Sequence, residues 1–420
     1  MADIEPLHAL RYDPVLAGPL QTLVSPPYDV IDAEHRARLL VSSPHNVVEI
    51  DLPQGDDPYA EAAKVLEGWV GEGAVVREDA PTLWALSQDY TGPDGRSFTR
   101  RGFLCRVRVE DYGAGRIRPH ERTHPGPKED RLRLTRATKA NLSPIFSLFS
   151  DPEGAAWGAL EPHTTGEPWG EVTDDDGTVH RLWRVDAPDA IDAVRDAARP
   201  AELLIADGHH RYETARVYAQ EIGAEEEGGH RYVLMCLVAL EDPGLTVFPT
   251  HRLVKGLSSD QQEKLAAAIR RDWEVEPVDE DDLVPAASED GRVRIGYMDA
   301  HFKKPFRLTL RDQAVADAAL PDRATPYRRL DTAVTEALLL KGALGLTDDD
   351  IDHLNNFGYA RDTDQARQLL HDGSFDAAFF MGPTPVKRVQ DVAEAGESMP
   401  PKSTYFFPKV LTGLVFNPLD

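Results

Sequence analysis

Cysteine is almost missing from this chain. The two thiols in 420 residues, Cys105 and Cys236, both stand in apolar, strand-like surroundings, which excludes a disulfide framework or a cysteine metal cluster as the organiser of the fold. Long apolar runs are missing too. No stretch approaches the roughly 20 residues of a membrane span, and Met1 to Tyr12 lacks the basic-then-apolar order of a signal peptide. These absences lead to the expectation of a cytoplasmic protein with no membrane partner. Positive charge is in deficit: 46 Lys and Arg stand against 72 Asp and Glu, a net charge of −26. A chain so acidic is repelled by a polyanion at long range, which makes nucleic acid an unlikely partner. Repeats, heptads and low-complexity tracts are also absent.

Enough apolar residues remain, 41% of the chain, to build a large core across two or three units. Helical spacing falls at Ala33 to Ser43, Pro58 to Gly71, His209 to Ile222, Ser258 to Trp273, Leu330 to Leu344 and Asp362 to Leu370. Short apolar or alternating runs predict strands, among them Val47 to Leu52, Gly102 to Val109, Ile145 to Phe149, Val179 to Val185, Leu203 to Ala206, Tyr232 to Leu240 and Ala377 to Met381. Strands outnumber the helices that could cross between them. The expected class is therefore α/β, with α+β allowed, around a mixed sheet. Seams at the polar stretches Asp151 to Gly177 and Pro277 to Asp290 divide the chain into three segments. These are 1–150, an α/β segment with a cationic loop; 151–275, with the Asp207 to Arg211 turn; and 276–420, an α/β segment returning Lys402 to Lys409 to the site.

The most informative run is Leu203-Leu204-Ile205-Ala206-Asp207-Gly208-His209-His210-Arg211. It reads as a buried strand, a tight turn and a helix start that carries three potential cations. Exposed N–H groups and aligned peptide dipoles already make a helix start positive, so His209, His210 and Arg211 there call for a bound anion, of which phosphate is the natural choice. Gly208 allows close backbone approach, and Asp207 can cap the helix or hold a hydroxyl or metal.

Three further segments combine turn formers with phosphate-binding chemistry. Arg118-Pro119-His120-Glu121-Arg122-Thr123-His124 formally matches the H-E-x-x-H zinc signature, but Pro119 and Pro125-Gly126-Pro127 flank it too closely for a stable helix, so no metal ligand is assigned. It reads instead as a cationic loop holding His120, Arg122 and Lys128 towards an anion, with Glu121 as orienter or base. Met399 to Lys409 offers Lys402, Ser403, Thr404 and Lys409 to phosphate but lacks the glycine-rich loop of a Walker motif. Ser25-Pro26-Pro27-Tyr28-Asp29-Val30 is a stiff turn that presents Tyr28 to substrate and Asp29 as a carboxylate, with Glu49 a further acid on the strand expected after it. Between Arg100 and Lys139, twelve basic residues against five acidic ones make a basic island with an excess of seven.

These motifs, in this order, resemble the family catalogued as domain of unknown function 1015, across nearly the whole chain. That family name implies no activity. The Asp207-Gly208-His209-His210-Arg211 turn is also similar to the phosphate loop shared by ParB-type nucleotide-binding proteins, sulfiredoxins and free-serine kinases. This likeness implies a ParB/sulfiredoxin-like strand-turn-helix unit holding nucleotide phosphates. His209 stands where sulfiredoxins carry the reactive cysteine, and the helix-turn-helix reader of ParB is not recognisable. The expectation is a nucleotide-dependent phosphotransferase for a small hydroxyl metabolite, free serine among the acceptors, with ATP or ADP and Mg as cofactors. Its base would come from Asp29, Glu49, Glu121 or Asp207. A nucleotide-binding regulatory module without turnover and a ParB-like nuclease or nucleic-acid binder stay open as alternatives, and a homodimer is allowed.

Overall fold

The computed structural model describes residues 3–92, 95–113, 116–120, 125–223, 227–286 and 291–420, with 125–127 as backbone. The chain divides into two compact units. The first is Met1–Pro119, Thr123–Leu245 and Pro408–Asp420, and the second is His120–Arg122 and Thr246–Phe407.

Nine strands make the large sheet of the first unit: β1 (Ile4–Glu5), β2 (Leu83–Thr91), β3 (Ser97–Arg108), β4 (Ile117–Pro119), β5 (Ile145–Phe149), β6 (Gly170–Thr173), β7 (Val179–Val185), β8 (Leu203–Asp207) and β9 (Tyr232–Ala239). Their order is β4-β8-β5-β9-β3-β2-β7-β6, with β1 paired to β3. The pairs β4–β8 and β5–β9 run parallel and the others antiparallel, so the sheet is mixed, as the sequence leads one to expect.

Period-two alternation assigns the faces. Phe103, Cys105 and Val107 of β3 and Val233, Met235 and Leu237 of β9 share one buried cluster with Ala190, Ile191 and Val194 of the helix α2 (Pro188–Ala198). Full burial of each large side chain there contributes about 1.5–3 kcal/mol. Both cysteines are buried free thiols. Two more helices concern the site: α1 (Pro125–Thr138) and α3 (His209–Ile222) pack on each other and share the ion pair Arg136–Glu221.

The second unit holds a six-stranded antiparallel sheet. Its strands are β10 (His251–Val254), β11 (Trp273–Pro277), β12 (Arg294–Asp299), β13 (Phe306–Leu310), β14 (Phe357–Ala360) and β15 (Ala377–Met381), in the order β11-β13-β12-β15-β10-β14. Buried clusters cover it, one around Trp273, Leu308 and Phe379 and one around Leu253 and Phe380. The nine-stranded sheet takes strands from both sides of the seam expected near 151, and the six-stranded sheet takes β10 from before residue 276.

Two local expectations fail for visible reasons. The apolar run Val47 to Leu52 is a short helix, Val48–Asp51, because Asn46 Oδ1 accepts from Val48 N while its amide donates to Thr22 O and Val24 O, turning the chain there. A short apolar run cannot by itself separate strand from helix. The helix expected over Leu330 to Leu344 is α-helical only for Asp331–Thr335 and continues as a π-helix over Glu336–Ala343. Among the described residues no helix is long and apolar enough to cross a membrane.

Candidate functional site

The strand β8 ends at Asp207, Gly208 turns with φ +94°, and α3 begins at His209. The φ value demands glycine, and a Cβ on Gly208 would stand 2.9 Å from Arg211 Nε, so the guanidinium would have to shift. No side chain caps α3 and no acid lies in its first turn. Asp207 does not cap the helix. Its Oδ1 accepts from Lys409 Nζ at 2.9 Å and its Oδ2 from Arg211 Nη2 at 2.9 Å. Burial pulls the Asp207 carboxyl upward, but Lys409, Arg211 and His209 together outweigh it and hold the group well below the usual carboxylate range. The conflict posed by cations at a helix start is thus answered in part from within the chain, by a carboxylate one residue ahead of the turn.

Arg211 is the hub of this corner. Its Nη1 donates to Ser143 Oγ at 2.6 Å and to the carbonyl of Pro144. Ser143 Oγ accepts from Thr412 Oγ1 at 3.0 Å, and Thr412 N donates to Ser25 O at 2.9 Å. The returning segment Pro408–Asp420 therefore ties the Ser25 to Val30 turn to the Asp207 turn. Beside Lys409, the fully buried Arg100 lies 4.5 Å over the Phe146 ring, donates to Gln88 Oε1 and donates to Pro408 O. Burial lowers its guanidinium to about 10.

A small cavity of about 40 Å³ opens on the same corner, lined in part by Tyr28, Asp51, Arg131, Ser143 and Arg211. The Arg131 guanidinium lies 4.4 Å over the Tyr28 ring, and its Nη1 donates to Asp51 Oδ1 at 3.1 Å and Asp51 O at 2.7 Å. Burial raises the Tyr28 phenol, and Arg211 and Arg131 oppose that rise. Of the residues expected from sequence, Tyr28, Asp207, Gly208, His209, His210, Arg211 and Lys409 meet in the first unit. Asp51, Arg131 and Ser143 were not foreseen. No spacing signal joins Asp51 to an arginine 80 positions on.

Other expected residues lie elsewhere. Asp29 is the exception: exposed in the 3₁₀ turn Tyr28–Val30, it still acts on Tyr28 and Asp51 at the edge of this corner. Glu49 is half-buried on the helix Val48–Asp51 and acts on Arg36. Lys128 belongs to helix α1 and not to a loop, its carbonyl accepting from Thr214 Oγ1 at 3.5 Å. Glu121 and Arg122 lie outside the described residues. In the second unit, buried His120 pairs its Nε2 with Thr404 Oγ1 at 2.7 Å, Ser403 Oγ donates to Thr332 Oγ1 at 3.1 Å, and Lys402 is an exposed residue with φ +54°.

Much of the basic island is ion-paired or buried. Arg118 pairs with Glu202, Arg131 with Asp51 and Asp130, Arg133 with Glu129 and Arg136 with Glu221, while Arg100 is buried. Among the described residues no group of three or more His, Cys, Asp or Glu is arranged to hold a metal ion.

Fold and site together define a mixed α/β protein whose largest sheet ends in a glycine turn flanked by cations. The chain belongs to the family described as Protein of unknown function (DUF1015), whose model matches residues 4–333. No curated protein matches it significantly. Among solved structures it is similar to a conserved hypothetical protein from Pyrococcus furiosus, with 16% identity, 69% of this chain and 87% of that one covered, and a TM-score of 0.34. It is also similar to a free serine kinase in complex with AMP (15% identity, 71% and 89% covered, TM-score 0.37) and to SbnI with a C-terminal truncation from Staphylococcus aureus (12%, 74% and 85%, 0.36).

Proposed function

We propose that the chain is a nucleotide-dependent phosphotransferase acting on the hydroxyl of a small metabolite, with free serine among the acceptors and ATP or ADP as the nucleotide. The observation that carries this reading is the Asp207 corner. A positive-φ glycine opens an uncapped 14-residue helix, and Lys409 and Arg211 converge on the carboxylate beside it. Backbone N–H groups and fixed cations aimed at one spot are what phosphoryl transfer requires, because its transition state is stabilised by positioning and charge neutralisation. The similarity of the turn to nucleotide-phosphate loops points the same way.

In this reading Gly208, His209 and His210 hold phosphate oxygens, and Arg211 and Lys409 neutralise charge. Asp207 is a weak base, since two cations hold it ionised, and it serves better as an oxygen ligand. Magnesium takes few protein oxygens when phosphates supply the rest. Asp207 keeps lone pairs beyond the two bonds it accepts and is the residue proposed to hold the ion, which would supply charge neutralisation on the phosphates. Lys128 stays a proposed contact on its chemistry alone, while His120, Glu121, Arg122, Lys402, Ser403 and Thr404 belong to the second unit.

The full chain mixed with ATP or ADP, Mg²⁺ and a panel of hydroxyl metabolites including L-serine is expected to yield a phosphorylated acceptor, read by phosphorus NMR. Nucleotide binding with no product from any acceptor would instead favour a regulatory module.

A further inference from the structure

One oxygen of Asp51 has no hydrogen-bond partner among the described residues. The residue is 2% exposed, its Oδ1 and backbone carbonyl are held by Arg131, and its Oδ2 is buried and unsatisfied. Such a group costs free energy unless something arrives to pair with it. Asp51 is one of the residues that line a cavity of about 40 Å³. That is about three times the roughly 10–15 Å³ of probe-occupied volume that one water needs, so a small hydroxyl-bearing group can enter.

We propose that Asp51 is the proton acceptor of the transfer and that this cavity receives the acceptor hydroxyl, an assignment that rests on the phosphotransferase reading above. The hydroxyl proton passes to Asp51 Oδ2 as the hydroxyl oxygen bonds to the terminal phosphorus of the nucleotide. The bridging P–O bond breaks, and the departing nucleotide keeps its electron pair. Arg211 lines the cavity and also grips Asp207, so one side chain links the hydroxyl's position to the phosphate turn.

The competing acids among the described residues are less suited. Asp207 is doubly ion-paired, Asp29 is exposed, and Glu49 acts on Arg36. The charged and titratable groups acting on Asp51 are Arg131, Arg211, Asp130 and Asp29, with Tyr28 beside them. Burial raises its carboxyl above the ordinary range against the pull of the two arginines. A raised carboxylate is the better proton acceptor near neutral pH.

The test uses the full-length wild type, Asp51→Asn and Asp51→Glu with ATP, Mg²⁺ and L-serine or glycerol, alongside ADP calorimetry and thermal unfolding. Asp51→Asn is expected to fold, to bind ADP within about 3-fold of wild type and to lose about 100-fold or more in kcat, the usual scale of general-base loss. Asp51→Glu is expected to restore part of that loss. A folded Asp51→Asn that keeps kcat within about 3-fold overturns the assignment while leaving the phosphotransferase reading intact. A wild type that transfers no phosphoryl group overturns that reading and the assignment with it. Should Asp51→Asn fail to fold, the wild-type kcat against pH decides. An acid limb above the ordinary carboxylate value of about 4 supports Asp51, and a flat profile overturns it.

Discussion

Lys409 Nζ and Asp207 Oδ1 meet at 2.9 Å across 202 residues of chain. The contact fastens the last segment of the chain to the end of β8. Both side chains are mostly shielded, 18% and 21% exposed, so removing the cation leaves a partly buried carboxylate with Arg211 alone. Lys409→Met is expected to lower stability by about 1–3 kcal/mol, below the range for a fully buried pair, and to weaken ADP binding. Urea unfolding and calorimetry measure the two effects.

The same pair sets a pH dependence. The folded pKa of Asp207 is depressed, so its contribution to stability is fully present above the unfolded carboxylate value of about 4 and is lost as pH falls through the lower folded value. Wild type and Lys409→Met should therefore differ most at neutral pH and converge in strong acid. A difference that grows on acidification contradicts this.

Gly208 is the second sensitive point. Alanine there must adopt φ +94° and brings its Cβ to 2.9 Å from Arg211 Nε. Gly208→Ala is expected to cost about 1–3 kcal/mol and to weaken nucleotide binding by displacing the guanidinium. An unchanged melting temperature would show that the turn is not held in this conformation.

Asp331 in the second unit behaves oppositely to Asp207. Burial raises its carboxyl to about 6, against Arg388 and Arg294, and its Oδ1 lacks a partner among the described residues. Its folded pKa exceeds the unfolded one, so its stabilising contribution is complete below about pH 4 and disappears as pH rises through about 6. Asp331→Asn is expected to gain about 2 kcal/mol relative to wild type at pH 8 and little at pH 4.5, read as paired melting curves. Equal effects at both pH values contradict the shift.

Much of the frame is legible in the sequence because it rests on local pattern. The strands Ile145–Phe149, Val179–Val185 and Ala377–Met381 and the helix His209–Ile222 are bounded by their own apolar spacing and turn residues. Helix α2 is missed although Pro188 opens it, because Ala190, Ile191, Val194 and Ala198 give only a thin apolar stripe. Of the site, the turn itself is legible and its surroundings are not. Asp207 reads equally as a helix cap, and only the chain's return brings Lys409 to it. Asp51 sits at the end of an apolar run that reads as strand, and its meeting with Arg131 is tertiary.

A crystal structure of the chain grown with ADP and Mg²⁺ tests the phosphate role of the Asp207 to Arg211 turn. Phosphate oxygens are expected within hydrogen-bond distance of the backbone N–H groups of Gly208 to Arg211, with Lys409 beside them. ADP bound at saturation with its phosphates away from that turn contradicts that role.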